Sequence, residues 1–229
     1  MGLSPKSKRE LLLRHAKGEP SSTSAPDDVP GLCYYSSVIY DLAHGIRTAE
    51  TEPLSTLELT RPEHLAYGSS CLPSQPQDIR SVFNNLGLDF RKYCFVDLGC
   101  GKGRVLANAA RYPFKSVIGV DFAKQLCEAS KSNLERVRST HRCYDVQVHH
   151  LDATEYDLPL APCVVYIYNS FRGPVLTAVL ERIQRSVLLF PRHVRIAYVA
   201  PTLPDFFLQL PGIQVFKSER HYIMYDLGI

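Results

Sequence analysis

The sequence predicts an α/β protein. It should hold a seven-stranded, mostly parallel sheet with helices on both faces, an antiparallel C-terminal hairpin and a small N-terminal cap. Three observations predict this. From Gln75 onward, short apolar runs of strand length alternate with stretches of helical periodicity, the pattern of parallel strands joined by right-handed crossovers. The last two apolar runs lie only a few residues apart, too close for a crossover helix, so they must pair antiparallel. The first run, Cys94–Leu98, carries an acid at Asp97 and then breaks into Gly99-Cys100-Gly101-Lys102-Gly103 before a helix, a strand-turn-helix junction of the kind that receives nucleotide-like ligands.

The elements follow in order. Ile79, Val82, Phe83 and Leu86 fall at helical spacing after a Pro-rich start, and Gly87 stops that helix. The strand Cys94–Leu98 leads through the glycine turn into a helix over Arg104–Arg111 and a second strand, Ser116–Val120, that finishes on Asp121. A helix over Ala123–Arg138 precedes a third strand at Val146–Leu151, and a fourth lies at Val164–Tyr168. A helix over Val175–Leu188, a fifth strand at Val194–Val199 and the pair Gln214–Lys217 and Tyr222–Leu227 complete the pattern. Residues 1–31 read as a disordered basic tail and linker, because Lys6, Lys8, Arg9, Arg14 and Lys17 precede a Pro, Ser, Asp and Gly-rich stretch that cannot bury much surface. Residues 32–74 read as a cap segment, with apolar groups broken by Pro53, Pro62 and Pro73, and residues 75–229 as the main domain.

Composition narrows the class. At 229 residues, 45% hydrophobic and 21% charged, the chain can bury a sizeable core without staples. It has no apolar run long enough to span a bilayer and no signal-peptide pattern, so a soluble, cytoplasmic protein is expected. The net charge of +3 does not favour nucleic acid as a partner. Seven singly scattered cysteines, with no zinc-type spacing, read as reduced thiols without chemistry, and no metal is expected.

The glycine spacing discriminates between ligands. A dinucleotide fold wants G-x-G-x-x-G, and counting from Gly99 the third glycine position is Arg104, which argues against a nicotinamide-dependent oxidoreductase. Asp121, closing the second strand, can accept both hydroxyls of an adenosine ribose, a device that several cofactors share, and can also cap the helix that follows. The ends of parallel strands at a switch in strand order are where ligands sit, so Asn169 and its neighbours, after the fourth strand, should face the reacting centre. His149 and His150 are adjacent on one strand and read as structural.

The D-x-G-x-G-x-G pattern of Asp97, Gly99, Gly101 and Gly103 resembles motif I of the class I S-adenosyl-L-methionine (SAM)-dependent methyltransferases. With the strand order, the resemblance runs from about Gln75 to the C-terminus and implies a Rossmann-like methyltransferase domain with SAM as cofactor. It implies that Asp97 orients the loop and the cofactor's amino group, that Asp152 and the backbone of Ala153 meet the adenine, and that Phe122 covers the ring. Tyr168-Asn169-Ser170-Phe171 is similar to the (D/N)-P-P-(F/Y) motif of amino-methylating enzymes and closer to the Y-N-P-F of a poorly characterised bacterial methyltransferase group. The G-K-G-R loop and P-F-x-x-V-I-G-V-[DE] second strand of that group also match here. There is a fainter likeness to the seven-strand lysine methyltransferases that act on histones. Ser170 stands where that motif has proline. The segments His44–Thr48 and Tyr67–Pro73 are similar to N-terminal segments of the same group, which implies that they cross the open side of the cofactor, with Tyr67 and Ser70 as contacts. The expected activity is methyl transfer from SAM to an amine nitrogen of a protein lysine or a small amine, with Asn169 and Tyr168, or Tyr166 in its place, at the centre. The alternative from another class is a SAM-binding interaction protein without catalysis.

Overall fold

The computed structural model describes residues 30–59, 72–168, 170–171 and 173–228. Its helices are α1 (Pro30–His44), α2 (Pro76–Asn85), α3 (Arg104–Ala109), α4 (Lys124–Arg136), α5 (Pro174–Leu189) and α6 (Pro204–Leu208). Its strands are β1 (Cys94–Leu98), β2 (Val117–Asp121), β3 (Val146–His150), β4 (Cys163–Tyr168), β5 (Val194–Val199), β6 (Gln214–Ser218) and β7 (Tyr222–Leu227). They form one seven-stranded sheet in the order β3-β2-β1-β4-β5-β7-β6. The pairs from β3 through β5 are parallel, and β7 is antiparallel to both β5 and β6, so the terminal hairpin is as the short connection requires.

The inner strands are buried along their length except at Tyr168, the last residue of β4, as strands covered on both faces must be, whereas the edge strands β3 and β6 are only partly buried. One face of the sheet, through Val96, Val165, Ile167 and Ile196, packs on the apolar stripe Leu176, Val179, Leu180, Ile183 of α5. The other face, through Phe95, Val164, Ala197 and Met224, packs on Ile79, Val82 and Phe83 of α2 and on Leu106 and Ala109 of α3. Proline opens α2 and α5 in the first turn, where its missing N–H is no loss. Gly87 takes φ +61° just past α2 and ends it. Because β1 has β2 on one side and β4 on the other, the chain direction of the connections reverses at β1, and the carboxyl ends of these strands are where sheets of this kind receive ligands. No helix among the described residues is long and apolar enough to cross a membrane.

At the opposite end of the sheet the hairpin is pinned by charge. Arg195 of β5 and Asp226 of β7 are register partners, and the guanidinium Nε and Nη2 donate to the two carboxylate oxygens at 2.7 Å each. His193 lies 3.0 Å from Asp226, and Tyr93 hydrogen-bonds His193 at 2.7 Å. Burial pushes the Asp226 carboxyl up, but the hydrogen bonds from His193 and Arg195 outweigh it and hold the pKa below the usual range. Asp226→Asn should cost about 3 kcal/mol at neutral pH, because it leaves a buried guanidinium uncompensated. A lowered native pKa stabilises fully above the unfolded value, about 3.9, and that stabilisation is lost as pH falls through the native pKa. Urea unfolding of both proteins at pH 7 and pH 3 checks this: the gap between them should narrow at the lower pH.

Candidate active site

The site is built at the carboxyl ends of β1, β2, β3 and β4. After β1 the backbone N–H groups of Gly99 and Cys100 both donate to the Val120 carbonyl, at 2.8 and 3.1 Å, which folds the chain back over the end of β2. Gly99, Gly101 and Gly103 all take positive φ, at 82°, 52° and 82°, a course that L side chains resist. Two of these glycines also answer to close packing. A Cβ on Gly103, at the N-terminus of α3, would stand 2.3 Å from Ser130 Oγ of α4, and a Cβ on Gly99 would stand 2.6 Å from Ser170 Oγ. Cys100 is a buried filler in the turn, seated against Gly119, where a Cβ would stand 2.9 Å from its sulfur.

Two acids face this turn. Asp121 Oδ2 accepts the Gly101 N–H at 2.8 Å and Oδ1 accepts the Ala123 N–H at 3.0 Å, so the carboxylate holds both the glycine loop and the start of α4. Burial raises its pKa against the downward pull of those two N–H groups. Asp97 is 2% exposed, and among the described residues no hydrogen bond or ion pair to its carboxyl is formed. Its burial, and then the nearby Asp121 charge, raise its pKa well above the ordinary carboxylate range. A cation placed there would reverse that unfavourable situation.

Asp152, just after β3, turns the chain: its Oδ1 accepts from the Thr154 N–H and from Thr154 Oγ, each at 2.8 Å, with Ala153 buried beside it. The Leu151 N–H donates to the Asp121 carbonyl at 2.9 Å, which joins the two strand ends. His150 Nε2 lies 3.2 Å from the Phe122 carbonyl, and the His149 ring lies 5.9 Å from Tyr156, so each histidine has a structural neighbour. At the end of β4, Tyr168 is half-buried and its carbonyl accepts from Ser170 Oγ at 3.2 Å. Tyr166 is different: its ring is fully buried on the α2 face, 6.2 Å from that of Phe95, and its hydroxyl finds no partner in hydrogen-bonding geometry, although Ser74 is near enough to temper a pKa that burial raises far up. Of the two tyrosines, Tyr168 is the more exposed, at the end of β4, and it packs against the same apolar cluster. Asn169, Tyr67 and Ser70 lie outside the described residues.

The structure therefore brings Asp97, Gly99, Gly101, Asp121, Phe122, Asp152, Ala153 and Tyr168 to one end of the sheet. It also adds residues that the sequence reading did not single out. The two cations of the G-K-G-R turn are taken up by residues that precede the sheet. Lys102 Nζ donates to the Glu50 carbonyl at 3.1 Å and pairs with Glu52 at 2.7 Å, and Arg104 reaches Ser37, Asp41, Thr48 and Ser74. Asn133 of α4 joins the Lys102 carbonyl to the backbone of Arg47. The only sequence signal for these contacts is a pair of charged residues inside an otherwise apolar and glycine-rich turn.

Comparison with known proteins decides the class. Residues 95–188, from the middle of β1 to the end of α5, match the family of methyltransferase domains. This stretch is a methyltransferase domain. The ribosomal protein L11 methyltransferase of Shewanella piezotolerans is 44% identical over 50 residues, which is 22% of this chain and 17% of that protein, so the chain spans only about a sixth of the relative it matches. An RNA methyltransferase from Salinibacter ruber, solved with S-adenosyl-L-homocysteine, is similar at 16% identity over 69% of this chain and 94% of its own, with a TM-score of 0.48. The ribosomal protein L11 methylase of Lactobacillus delbrueckii subsp. bulgaricus is similar at 15% identity over 65% of this chain and 74% of its own, with a TM-score of 0.44.

The residues present fit SAM, the cofactor that the glycine spacing led the sequence reading to expect. The unpartnered Asp97 carboxyl suits the amino group of the cofactor, and Asp121 retains lone pairs for a ribose. Gly101 has no side chain and its N–H joins the loop to Asp121. Among the described residues no group of three His, Cys, Asp or Glu side chains could hold a metal ion.

Proposed function

We propose that this chain transfers a methyl group from SAM to an amine nitrogen, of a protein lysine or a small amine. The observation that carries the cofactor half of this reading is the unpartnered, buried carboxyl of Asp97 beside a glycine loop in left-handed conformation, inside the stretch that matches methyltransferase domains. The acceptor half is supported by Tyr168-Asn169-Ser170-Phe171 following β4, beside β1 and its loop. The name of the Shewanella relative makes a protein the first acceptor to test.

Bound SAM supplies an electrophilic methyl on a sulfonium. The residues of the chain hold and orient: Asp97 takes the amino group, Asp121 the ribose, Asp152 and the Ala153 N–H the adenine edge, with Phe122 over the ring. Asn169 and Tyr168 offer oxygens that accept hydrogen bonds from the target nitrogen and leave its lone pair directed at the methyl. An in-line displacement of this kind needs reactants held about 3–3.5 Å apart and little acid-base machinery. The decisive experiment incubates the full chain with methyl-labelled SAM and a cell lysate, then separates protein, nucleic acid and small molecules. Label in protein or small amines supports the reading; label in nucleic acid overturns the acceptor class; binding without any turnover favours a non-catalytic SAM-binding protein.

Asp121→Ala should weaken SAM by roughly 2–4 kcal/mol, about 30- to 1,000-fold, from the loss of one or two charge-assisted hydrogen bonds. Titration calorimetry measures it. An unchanged affinity would leave Asp121 as the anchor of the Gly101 and Ala123 N–H groups alone.

A further inference from the structure

We propose that Arg104 is a positioning residue that makes the N-terminal segment 37–59 a working wall of the cofactor site, so that docking of the segment and binding of the cofactor are thermodynamically linked. The family match begins at residue 95 and leaves this segment out. The inference rests on the SAM reading of the site given above.

Arg104 is the first residue of α3, directly after the glycine loop, and is 3% exposed. All five of its N–H donors are engaged. Nε donates to Thr48 Oγ at 2.6 Å, Nη1 to Ser37 Oγ at 3.0 Å and the Ser74 carbonyl at 3.1 Å, and Nη2 to Asp41 Oδ1 at 3.0 Å and the Ser37 carbonyl at 3.3 Å. Asp41 is closed in turn by Thr48 Oγ at 2.7 Å and by the N–H groups of Thr48 and Ala49. The guanidinium lies over the Tyr40 ring, 5.2 Å from its centroid. Such a cluster either forms whole or leaves a buried charge unpaired, so it has two discrete states.

From this pin the chain runs along the loop. Residues 47–52 are tied to Asn133 and Lys102, and farther on the Glu58 N–H donates to Gln125 at 3.0 Å and Leu59 bridges Ala123, two residues from Asp121. The segment thus touches the loop at 102–104 and the start of α4 at 123–125, on either side of the Gly101–Asp121 hydrogen bond. A loop held on its outer side by Arg104 is held in the conformation that presents Gly101 to Asp121 on its inner side. What stabilises one arrangement must stabilise the other, by the same factor.

The test measures hydrogen exchange and SAM affinity on the full chain and on Arg104→Met, Arg104→Lys and Asn133→Ala. SAM should slow exchange of backbone amides in 46–59 of the parent. Arg104→Met should bind SAM about tenfold or more weakly and lose that protection, and Arg104→Lys, which keeps the charge but not the fork, should recover only part of it. Asn133→Ala releases both Arg47 of the segment and the Lys102 carbonyl of the loop and should weaken SAM without altering Arg104 itself. Asp226→Asn, destabilised from the other end of the sheet, should keep parental SAM affinity, which separates positioning from general stability. If SAM protects the glycine loop but not 46–59, or if Arg104→Met and Asn133→Ala both bind within twofold of the parent, the linkage is overturned while the cofactor reading stands. A parent chain that binds no SAM overturns both.

Discussion

Gly101→Val should abolish SAM binding while lowering the thermal midpoint by only a few degrees. Gly101 has φ 52°, where a β-branched residue costs roughly 1–2 kcal/mol, and in a chain of this length that corresponds to a shift of about 2–8 °C. The larger effect is on the ligand. If the loop holds the cofactor as proposed, a branched side chain there crowds it, and the altered backbone would turn the Gly101 N–H from Asp121, to which it now donates at 2.8 Å. A loss of at least about 100-fold, ~3 kcal/mol, is expected in calorimetry. SAM binding at parental affinity would remove the loop from the cofactor site.

The second large effect is on rate. Asn169→Ala should reduce turnover about 100-fold, the scale of removing one hydrogen-bonding group aimed at a reacting centre, while SAM affinity stays within a few-fold. A group that meets the acceptor in the transition state shows in kcat and not in cofactor binding. Ser170→Pro tests the same turn from the other direction, since it rebuilds Y-N-P-F and should preserve or raise activity if Asn169 is held as in that group. Both need the acceptor identified by the labelling experiment. If Asn169→Ala then methylates at the parental rate, Asn169 only forms the turn, and methylation of nitrogen loses its direct support.

The order of strands and the placing of the loop were legible because each rests on a local signal. Strands β1, β5 and β7 lie where the apolar runs place them, and the other strands start or stop within a residue of expectation. The helix boundaries are less well marked: α3 stops at Ala109 and α4 at Arg136, both two residues short of the periodic pattern. Helix α1 was not legible as a helix at all, for a physical reason. Its outward stripe is Tyr35, Ile39 and Leu42, whereas its buried side carries Ser37 and Asp41. That is the inverse of the amphipathic pattern that reveals a surface helix, and it exists because the partner of α1 is the guanidinium of Arg104, 63 residues beyond Asp41 in the chain. No periodicity within residues 30–44 can announce a partner so distant. The same holds for Lys102, whose pairing with Glu52 only the folded chain displays. Short α6 carries too few residues for a periodic signal.

The contact between Gly99 and Ser170 ties the two halves of the site together. The first glycine of the loop has no side chain, and the space a Cβ would take is filled by the Ser170 side chain from the turn after β4. The glycine loop and the turn after β4 therefore share one volume, and neither can be changed as an independent module. A bulkier residue at either position would push the other segment aside, so substitutions that retune acceptor choice at the β4 turn would register as changes in cofactor affinity. Effects at positions 99 and 170 would not add. A proline at 170 keeps a Cβ at that point but gives up the hydroxyl that now rests on the Tyr168 carbonyl and the backbone N–H, and it fixes φ of the turn.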